Sequence, residues 1–333
     1  MAHLLYPLTF TPVLKSYLWG GRNLQHKLGR TLPDALIVAE SWEIAAHEDG
    51  AALVNNGPYA GQTLSALTAT LGLDLIGRHS AWAQARGKFP LLVKLLDAHT
   101  ALSVQVHPDD AYAQAHEGNE LGKTEMWVVL HAEPNAEIIL GLRAGVGAAQ
   151  LCHSVADNTL HQHLHRVRVQ AGDHICVPAG TLHAIMGGLL IAEIQQNSNA
   201  TYRVYDWGRT DAAGTPRALH LEKALAVLDF SRSEPGLCAA QPLPAAAGAP
   251  AATRELLCHN RYFTTERITL PAGEQWQGEC NGDTLEIWGV LSGEVNVNRQ
   301  TLAAVQFCLL PAALGLYTIT ATSAATLLRT YVA

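Results

Sequence analysis

Two side chains that can bind a metal ion lie two residues apart in the segment SVQVH at 103–107. The segment alternates polar and apolar residues, which is typical of a β-strand with one buried face. Ser103, Gln105 and His107 then share one face, and Pro108 is expected to end the strand. We therefore predict that this strand brings Gln105 and His107 into one cavity as metal ligands.

A second strand is predicted at GKTEMW, residues 122–127. Lys123 and Glu125 lie two residues apart there, so their side chains point to the same side of the strand. An ammonium group and a carboxylate can therefore enter one cavity together.

Further candidates follow in a run of apolar alternating segments separated by the turn signals AGD and PAG. His183 follows the PAG turn, Glu193 lies on the next predicted strand, and Arg203 lies between two tyrosines on the one after it. A histidine, a carboxylate and an arginine thus come from consecutive strands.

We predict a four-ligand metal set made of Gln105, His107, Glu125 and His183. Imidazole, carboxylate and amide donors without a thiolate suit zinc with an open coordination position, although iron or manganese would accept a similar set. A single histidine is more often a hydrogen-bonded core residue. Several potential ligands on successive strands favour a site.

The predicted fold is mainly β, with two jelly-roll barrels of the cupin type and a helical insertion in the N-terminal part. Leucines and alanines at spacings of three and four predict a helical segment at about 62–86. A second helical segment is predicted at about 148–165. The second segment carries several histidines, which would fan around a helix rather than converge. We expect them to be solvated.

The domain prediction is a catalytic cupin domain at 1–235, a Pro/Ala-rich linker at 236–252 and a second β domain at 253–333. His259 is the only histidine of that last segment. Without a His/Glu set it cannot repeat the metal site, so we expect a degenerate cupin-like domain.

Composition narrows the class of protein further. The net charge is −7, 48% of the residues are hydrophobic and 15% are charged, so no basic field favours nucleic acid or an anionic membrane. With no apolar run long enough to span a membrane and no basic leader, we expect a cytoplasmic protein, either a monomer or a weak homo-oligomer.

The six cysteines include no C-x-x-C pair, and we expect them to be small apolar side chains.

Four segments resemble the type I mannose-6-phosphate isomerases, which are zinc-dependent cupins also called phosphomannose isomerases. These segments are PLLVKLLDAHTALSVQVHPDD, GKTEMW, AGDHICVPAGTLHAI and EIQQNSNATYRVYDWGR. The resemblance spans roughly residues 1–235. Ile185 replaces a tyrosine of the longer members, so the chain is similar to the short bacterial branch, and the contact of that hydroxyl has no counterpart here.

The resemblance implies interconversion of D-mannose 6-phosphate and D-fructose 6-phosphate, with one Zn²⁺ per chain held by the four ligands predicted above. It implies that Arg203 is the active-site arginine and Glu193 a pocket glutamate. It also implies that Lys94, Ser103 and Lys123 surround the phosphosugar substrate, including its phosphate.

This reaction moves a proton between C1 and C2 through an enediolate, so it needs a proton carrier, a cation near the oxyanion and a phosphate anchor. Glu193, Lys123 and a metal-bound water all remain candidates for the proton carrier. The alternative is a metal-binding bicupin that acts on another sugar or small molecule, as a sugar-binding protein or an iron oxygenase. The two lysines, Lys94 and Lys123, favour the phosphosugar.

Overall fold

Strands dominate the computed structural model, which describes residues 3–210, 213–246 and 248–333, and the predicted mainly-β class is confirmed. In chain order the strands are β1 Phe10–Thr11, β2 Val13–Lys15, β3 Glu40–Ile44, β4 Ala46–His47, β5 Gly50–Ala51, β6 Leu53–Val54, β7 Leu91–Ala98, β8 Val104–Val106, β9 Glu125–Ala132, β10 Glu137–Leu142, β11 Leu164–Arg168, β12 His174–Val177, β13 His183–Ile185, β14 Leu189–Gln196, β15 Tyr202–Tyr205, β16 Gln241–Leu243, β17 Thr253–His259, β18 Phe263–Leu270, β19 Gln275–Cys280, β20 Glu286–Ser292, β21 Glu294–Val297, β22 Gln300–Ala303, β23 Phe307–Leu310, β24 Gly315–Ala321 and β25 Ala325–Val332.

The helices of the described chain are short. They are α1 Asn23–His26, α2 Leu64–Leu71, α3 Leu73–Ile76, α4 Ala81–Gln84, α5 Asp110–His116, α6 Ala148–Ala156 and α7 Leu221–Val227, with 3-10 turns at Gly57–Tyr59, Arg78–Ser80 and Leu160–Gln162. No helix of the described residues is long and apolar enough to cross a membrane.

Both predicted helical segments contain helices, but each is interrupted. Gly72 and Gly77, both with positive φ, divide the segment at 62–86 into α2, α3 and α4. The helix predicted over 148–165 ends at Ala156, because Asn158 adopts the left-handed conformation (φ 57°) that commonly ends a helix. His165 consequently lies on strand β11 rather than on a helix.

The chain divides into two compact units. We call Met1–Val13, Ser41–Lys94 and Cys238–Ala333 the terminal unit, and Leu14–Glu40 and Leu95–Leu237 the central unit. The change of unit at Leu237 lies close to the predicted boundary at 235. Within the terminal unit, Leu8 and Leu309 link the early chain to the late chain through two backbone hydrogen bonds of 2.9 Å.

The terminal unit contains a six-stranded sheet of order β16-β17-β18-β25-β20-β23 and a four-stranded sheet of order β19-β24-β21-β22. A hydrophobic core that includes Trp276, Trp288 and Tyr317 lies on their apolar faces. The Pro/Ala-rich segment at 236–252 supplies one strand, β16, which pairs with β17.

The central unit contains the five-stranded sheet β11-β10-β13-β8-β15. Strands β12, β9 and β14 are consecutive members of a second sheet. Buried clusters around Trp127 and around Tyr202 form the core of this unit. The strands β8, β9, β13, β14 and β15 therefore carry most of the residues that the sequence singles out.

The PAG turn precedes β13, and its Gly180 amide donates to the carbonyl oxygen of His107, the residue after β8, at 2.9 Å. The turn therefore helps to position both β13 and the end of β8. Gly180 has φ +81°, and a Cβ placed on it would lie 2.9 Å from the carbonyl oxygen of Val227. Gly172, in the AGD turn, has φ +94° but no atom within 4 Å of its Cβ position among the described residues.

We expect Gly180→Ala to lower the free energy of unfolding more than Gly172→Ala. The control should cost about 1–2 kcal/mol for the left-handed backbone alone, whereas Gly180→Ala adds a backbone clash worth about 1–3 kcal/mol. Urea unfolding of both variants measures the difference. Equal losses would show that the PAG turn is free to adapt.

Candidate metal centre

The five-stranded sheet of the central unit places Gln105 between two other predicted site residues. Strand β8 lies between β13 and β15, and Gln105 is the direct partner of His183 on one side and of Arg203 on the other. Directly opposed residues of antiparallel strands project from the same face of the sheet. The register therefore assembles Gln105, His183 and Arg203 as one row.

Strand β9 supplies the carboxylate. Glu125 and Trp127 lie two residues apart on β9, and their partners on β14 are Gln195 and Glu193. The alternation of β9 and its pairing with β14 place Glu125, Trp127 and Glu193 on one face of this sheet.

His107, Glu125 and His183 form a buried cluster in which the potential ligand atoms lie within 4.8 Å of one another. Glu125 Oε1 is 3.1 Å from His107 Nε2, and Glu125 Oε2 is 3.8 Å from His183 Nε2. Gln105 Nε2 lies 3.4 Å from His183 Nε2, so the Gln105 side chain reaches the same cluster.

Backbone carbonyl groups orient both imidazoles. His107 Nδ1 lies 2.8 Å from the carbonyl oxygen of Ala200, and His183 Nδ1 lies 2.9 Å from that of Thr181. A carbonyl oxygen only accepts, so each Nδ1 carries the proton and each Nε2 is left with a lone pair. This is the tautomer that a metal-binding histidine requires.

Burial and neighbouring charges set the protonation states of the cluster. Burial, with the Lys123 charge acting in the same direction, lowers the pKa of His107 to about 3. Burial also lowers the pKa of His183. Burial alone would raise the pKa of Glu125, but the charge of Lys123 and the contact with His107 hold it well below its usual range. At neutral pH the cluster therefore offers two neutral imidazoles and one carboxylate.

The donor set fits a divalent metal ion. Among the described residues, the buried Glu125 Oε1 has no hydrogen bond of acceptable geometry, although the cationic Lys123 Nζ lies 2.8 Å away. Lys123 Nζ is also 3.3 Å from His107 Nε2. The Lys123 ammonium therefore lies beside two of the three donor atoms, Glu125 Oε1 and His107 Nε2. Unprotonated nitrogen and oxygen donors suit zinc and similar ions.

Other residues predicted from the sequence differ in how directly they join this cluster. Ser103 Oγ donates to Gln105 Oε1 at 3.5 Å, which continues the row along β8. The Arg203 guanidinium is half buried and donates through Nη1 to the Ala218 carbonyl oxygen at 2.9 Å. Lys94 is buried in the terminal unit, with its Nζ 4.9 Å from the centre of a Trp42 ring.

Trp127 is a site residue that the sequence analysis did not identify. Its Nε1 donates to Glu125 Oε2 at 3.0 Å, and its ring packs edge-on against His183 with centroids 5.4 Å apart. Its spacing of two from Glu125 could have revealed it. No comparable signal reveals the carbonyl groups of Ala200 and Thr181, because every residue has one.

The comparisons with known proteins agree with the resemblance. The sequence model described as "Phosphomannose isomerase type I, catalytic domain" matches residues 8–123. The mannose-6-phosphate isomerase ManA of Bacillus subtilis is 44% identical over 223 residues, which are 67% of this chain and 68% of the relative. A mannose-6-phosphate isomerase of Streptococcus mutans is 43% identical over 226 residues, 68% of this chain and 69% of the relative.

A solved structure extends the similarity over nearly the whole chain. The crystal structure of the mannose 6-phosphate isomerase from Bacillus subtilis superimposes with a TM-score of 0.81 and 33% sequence identity, covering 97% of this chain and 99% of the other.

We expect Trp127→Phe to weaken metal binding without unfolding the protein. Phenylalanine keeps an aromatic ring against His183 but removes the N–H that orients Glu125 Oε2, and the loss of such an outer hydrogen bond typically costs about 10- to 100-fold in metal affinity. Competition with a chromophoric chelator measures the dissociation constant.

Trp276→Phe is the matched control. Its Nε1 is buried and has no hydrogen-bond partner among the described residues, so this substitution removes a ring nitrogen without breaking a hydrogen bond. Its metal affinity should equal that of the wild-type protein. Equal affinity in the Trp127→Phe variant would remove Trp127 from the metal centre.

Proposed function

Since the chain belongs to the type I phosphomannose isomerases, we propose that it interconverts D-mannose 6-phosphate and D-fructose 6-phosphate at the centre formed by His107, Glu125 and His183. The observation that carries the proposal is this buried cluster of two neutral imidazoles and one carboxylate, whose negative charge Lys123 balances. The curated relatives are named for the same activity.

We assign one Zn²⁺ per chain to this centre. His107, Glu125 and His183 would hold the ion, and the amide oxygen of Gln105 would complete the set after rotation of the amide group. A catalytic zinc keeps an exchangeable position beside its protein ligands, and the absence of thiolates from the set fits this role better than a structural one. We further propose that residues 1–235 form a catalytic domain, and that both β regions are cupin-type barrels.

When bound, the metal ion would supply Lewis-acid polarisation of the substrate oxygens. The chain's own residues would do the rest. Arg203 would stabilise the negative charge of the enediolate, because a guanidinium is permanently charged and its planar N–H donors point in fixed directions. Its place directly opposite Gln105 supports this role.

Lys123 and Glu193 are the two side chains we propose for the proton transfer between C1 and C2. Lys123 contacts both Glu125 and His107, while Glu193 is buried and lies opposite Trp127. A desolvated lysine or carboxylate can be tuned toward neutral pH for such a step. Ser103, Lys94 and Lys123 are our candidates for contacts with the substrate, including its phosphate.

The alternative of a metal-binding bicupin with another activity gains no support from the relatives, which are named as isomerases. The function is tested by assaying the purified protein on mannose 6-phosphate and on free mannose, after chelation and after return of zinc, manganese or iron. We expect activity on mannose 6-phosphate to vanish on chelation and return best with zinc.

Glu125→Gln should abolish both metal binding and activity, since the amide removes the charge that balances the metal ion. Glu137→Gln is the control, because Glu137 forms an exposed ion pair with Arg166 on the neighbouring strand. Metal analysis and a coupled assay give both readouts. A metal-free Glu125→Gln protein with normal turnover would contradict the proposed centre.

Arg203→Lys should keep the metal and the fold but lower kcat by about 100- to 1,000-fold, with a smaller change in KM. Lysine retains the charge but loses the planar set of N–H donors and their fixed directions. Steady-state kinetics measure the effect, and Arg166→Lys, at an exposed ion pair on β11, should leave kcat unchanged. An unaltered kcat in the Arg203 variant would exclude it from the reaction.

Lys94→Met should raise KM for mannose 6-phosphate strongly and alter any activity on free mannose only slightly, because the removed charge has no partner on the neutral sugar. Lys88→Met, at another buried lysine of the terminal unit, is the control. Equal losses on both sugars would make Lys94 a structural residue rather than a phosphate ligand.

A further inference from the structure

The terminal unit contains a network of buried charges that the proposed isomerase reaction does not use. Strands β17, β18, β25 and β20 are consecutive neighbours in one sheet, and each contributes one charged side chain. These are Arg254, Glu266, Arg329 and Glu286. The core residues Ile268 and Trp288 lie two positions from Glu266 and Glu286 on the same strands, so the network lies on the inner face of the sheet.

Two carboxylates and two guanidinium groups alternate across the strands. Arg254 Nη2 donates to both carboxylate oxygens of Glu266 at 3.0 Å. Arg329 Nη1 lies 3.7 Å from Glu266 Oε2, and Arg329 Nε donates to Glu286 Oε2 at 2.9 Å. Moving these charges out of water is unfavourable unless they are paired, and an apolar core would avoid that cost.

The network is electrically neutral but its exposure is not symmetric. The glutamate side chains Glu266 and Glu286 are 2% and 3% exposed, whereas the arginine side chains Arg254 and Arg329 are 19% and 20% exposed. The two carboxylates are buried, so the solvent-accessible part of the network consists of the positively charged guanidinium groups.

Arg254 also lines a cavity of about 510 Å³ on the same face of the sheet. Glu266, Tyr331, Thr264 and His259 contribute to its wall, together with leucines from β16 and β17. The volume lies within the range of about 300–1,000 Å³ that is usual for small-molecule sites, which combine apolar walls with a few convergent polar groups.

We propose that this cavity is a second ligand site, for a metabolite of monosaccharide size that carries one oxyanion, a phosphate ester or a carboxylate, on a polyhydroxylated body. Arg254 Nη1, whose contact in the described residues is a long hydrogen bond of 3.3 Å to the Pro244 carbonyl oxygen, would bind the oxyanion through its second N–H. The Tyr331 hydroxyl and the pair formed by His259 Nδ1 and Thr264 Oγ1, 2.8 Å apart, would bind hydroxyl groups. The leucines would cover the carbon skeleton.

Hydrogen–deuterium exchange of the full-length, metal-loaded protein tests this site, with glucose 6-phosphate, gluconate and glucose as probes at equal concentration. We expect an anionic probe to protect the amides of β17 and β18, while glucose does not. Protection by glucose 6-phosphate alone identifies a phosphate ligand, and protection by gluconate alone identifies a carboxylate. Protection confined to the central unit, or equal protection by glucose, would overturn the proposal.

Arg254→Lys should weaken binding of the anionic probe at least tenfold, since lysine keeps the charge but loses the planar donors. Arg267→Lys is the matched control, because Arg267 also pairs with a glutamate of the adjacent strand, Glu255 at 2.8 Å, but at the outer face. Tyr331→Phe, which leaves Glu266 with both arginines, serves as a second test if Arg254→Lys fails to fold.

Isothermal titration gives the affinities, and the isomerase kcat/KM should be the same in all three variants. Equal affinities in the Arg254 and Arg267 variants, with no effect of Tyr331→Phe, would show that the network only stabilises the sheet.

Discussion

The contact between the Glu125 carboxylate and the Lys123 ammonium, 2.8 Å apart and both buried, is the interaction on which the central unit depends. Moving either charge alone out of water would cost several kcal/mol. Paired, they keep Glu125 ionised inside the protein. A buried carboxylate held in this way is ready to bind a metal cation.

The surrounding strands determine what that carboxylate meets. His107 follows β8 and His183 begins β13, strands that pair directly through Gln105 and His183, so the two imidazoles converge from neighbouring strands. Carbonyl groups fix their tautomers, and Trp127 fixes one oxygen of Glu125. The centre therefore depends on backbone geometry as much as on its ligands.

Alternation along single strands was readable from the sequence, since a pleated strand repeats its face every second residue. That rule grouped Gln105 with His107 and Lys123 with Glu125, but the predicted strands were too long: β8 covers Val104–Val106 and β9 begins at Glu125, so His107 and Lys123 lie just outside them. Register between strands was not readable: nothing local indicates that Arg203 lies opposite Gln105. The end of α6 has a local signal, because Asn158 adopts the left-handed conformation that commonly ends a helix. The division of the first 94 residues between two units and the inward ion pairs of β17 and β18 depend on long-range packing, which short sequence patterns do not encode.

The central claim is that one zinc ion is bound by His107, Glu125 and His183 in the active protein. Anomalous diffraction from crystals of the active enzyme, collected on both sides of the zinc absorption edge, tests it most directly. The predicted result is a single zinc peak per chain, within bonding distance of His107 Nε2, His183 Nε2 and the Glu125 carboxylate. A zinc peak at any other residues, or crystals of active enzyme with no metal peak at this cluster, would contradict the account.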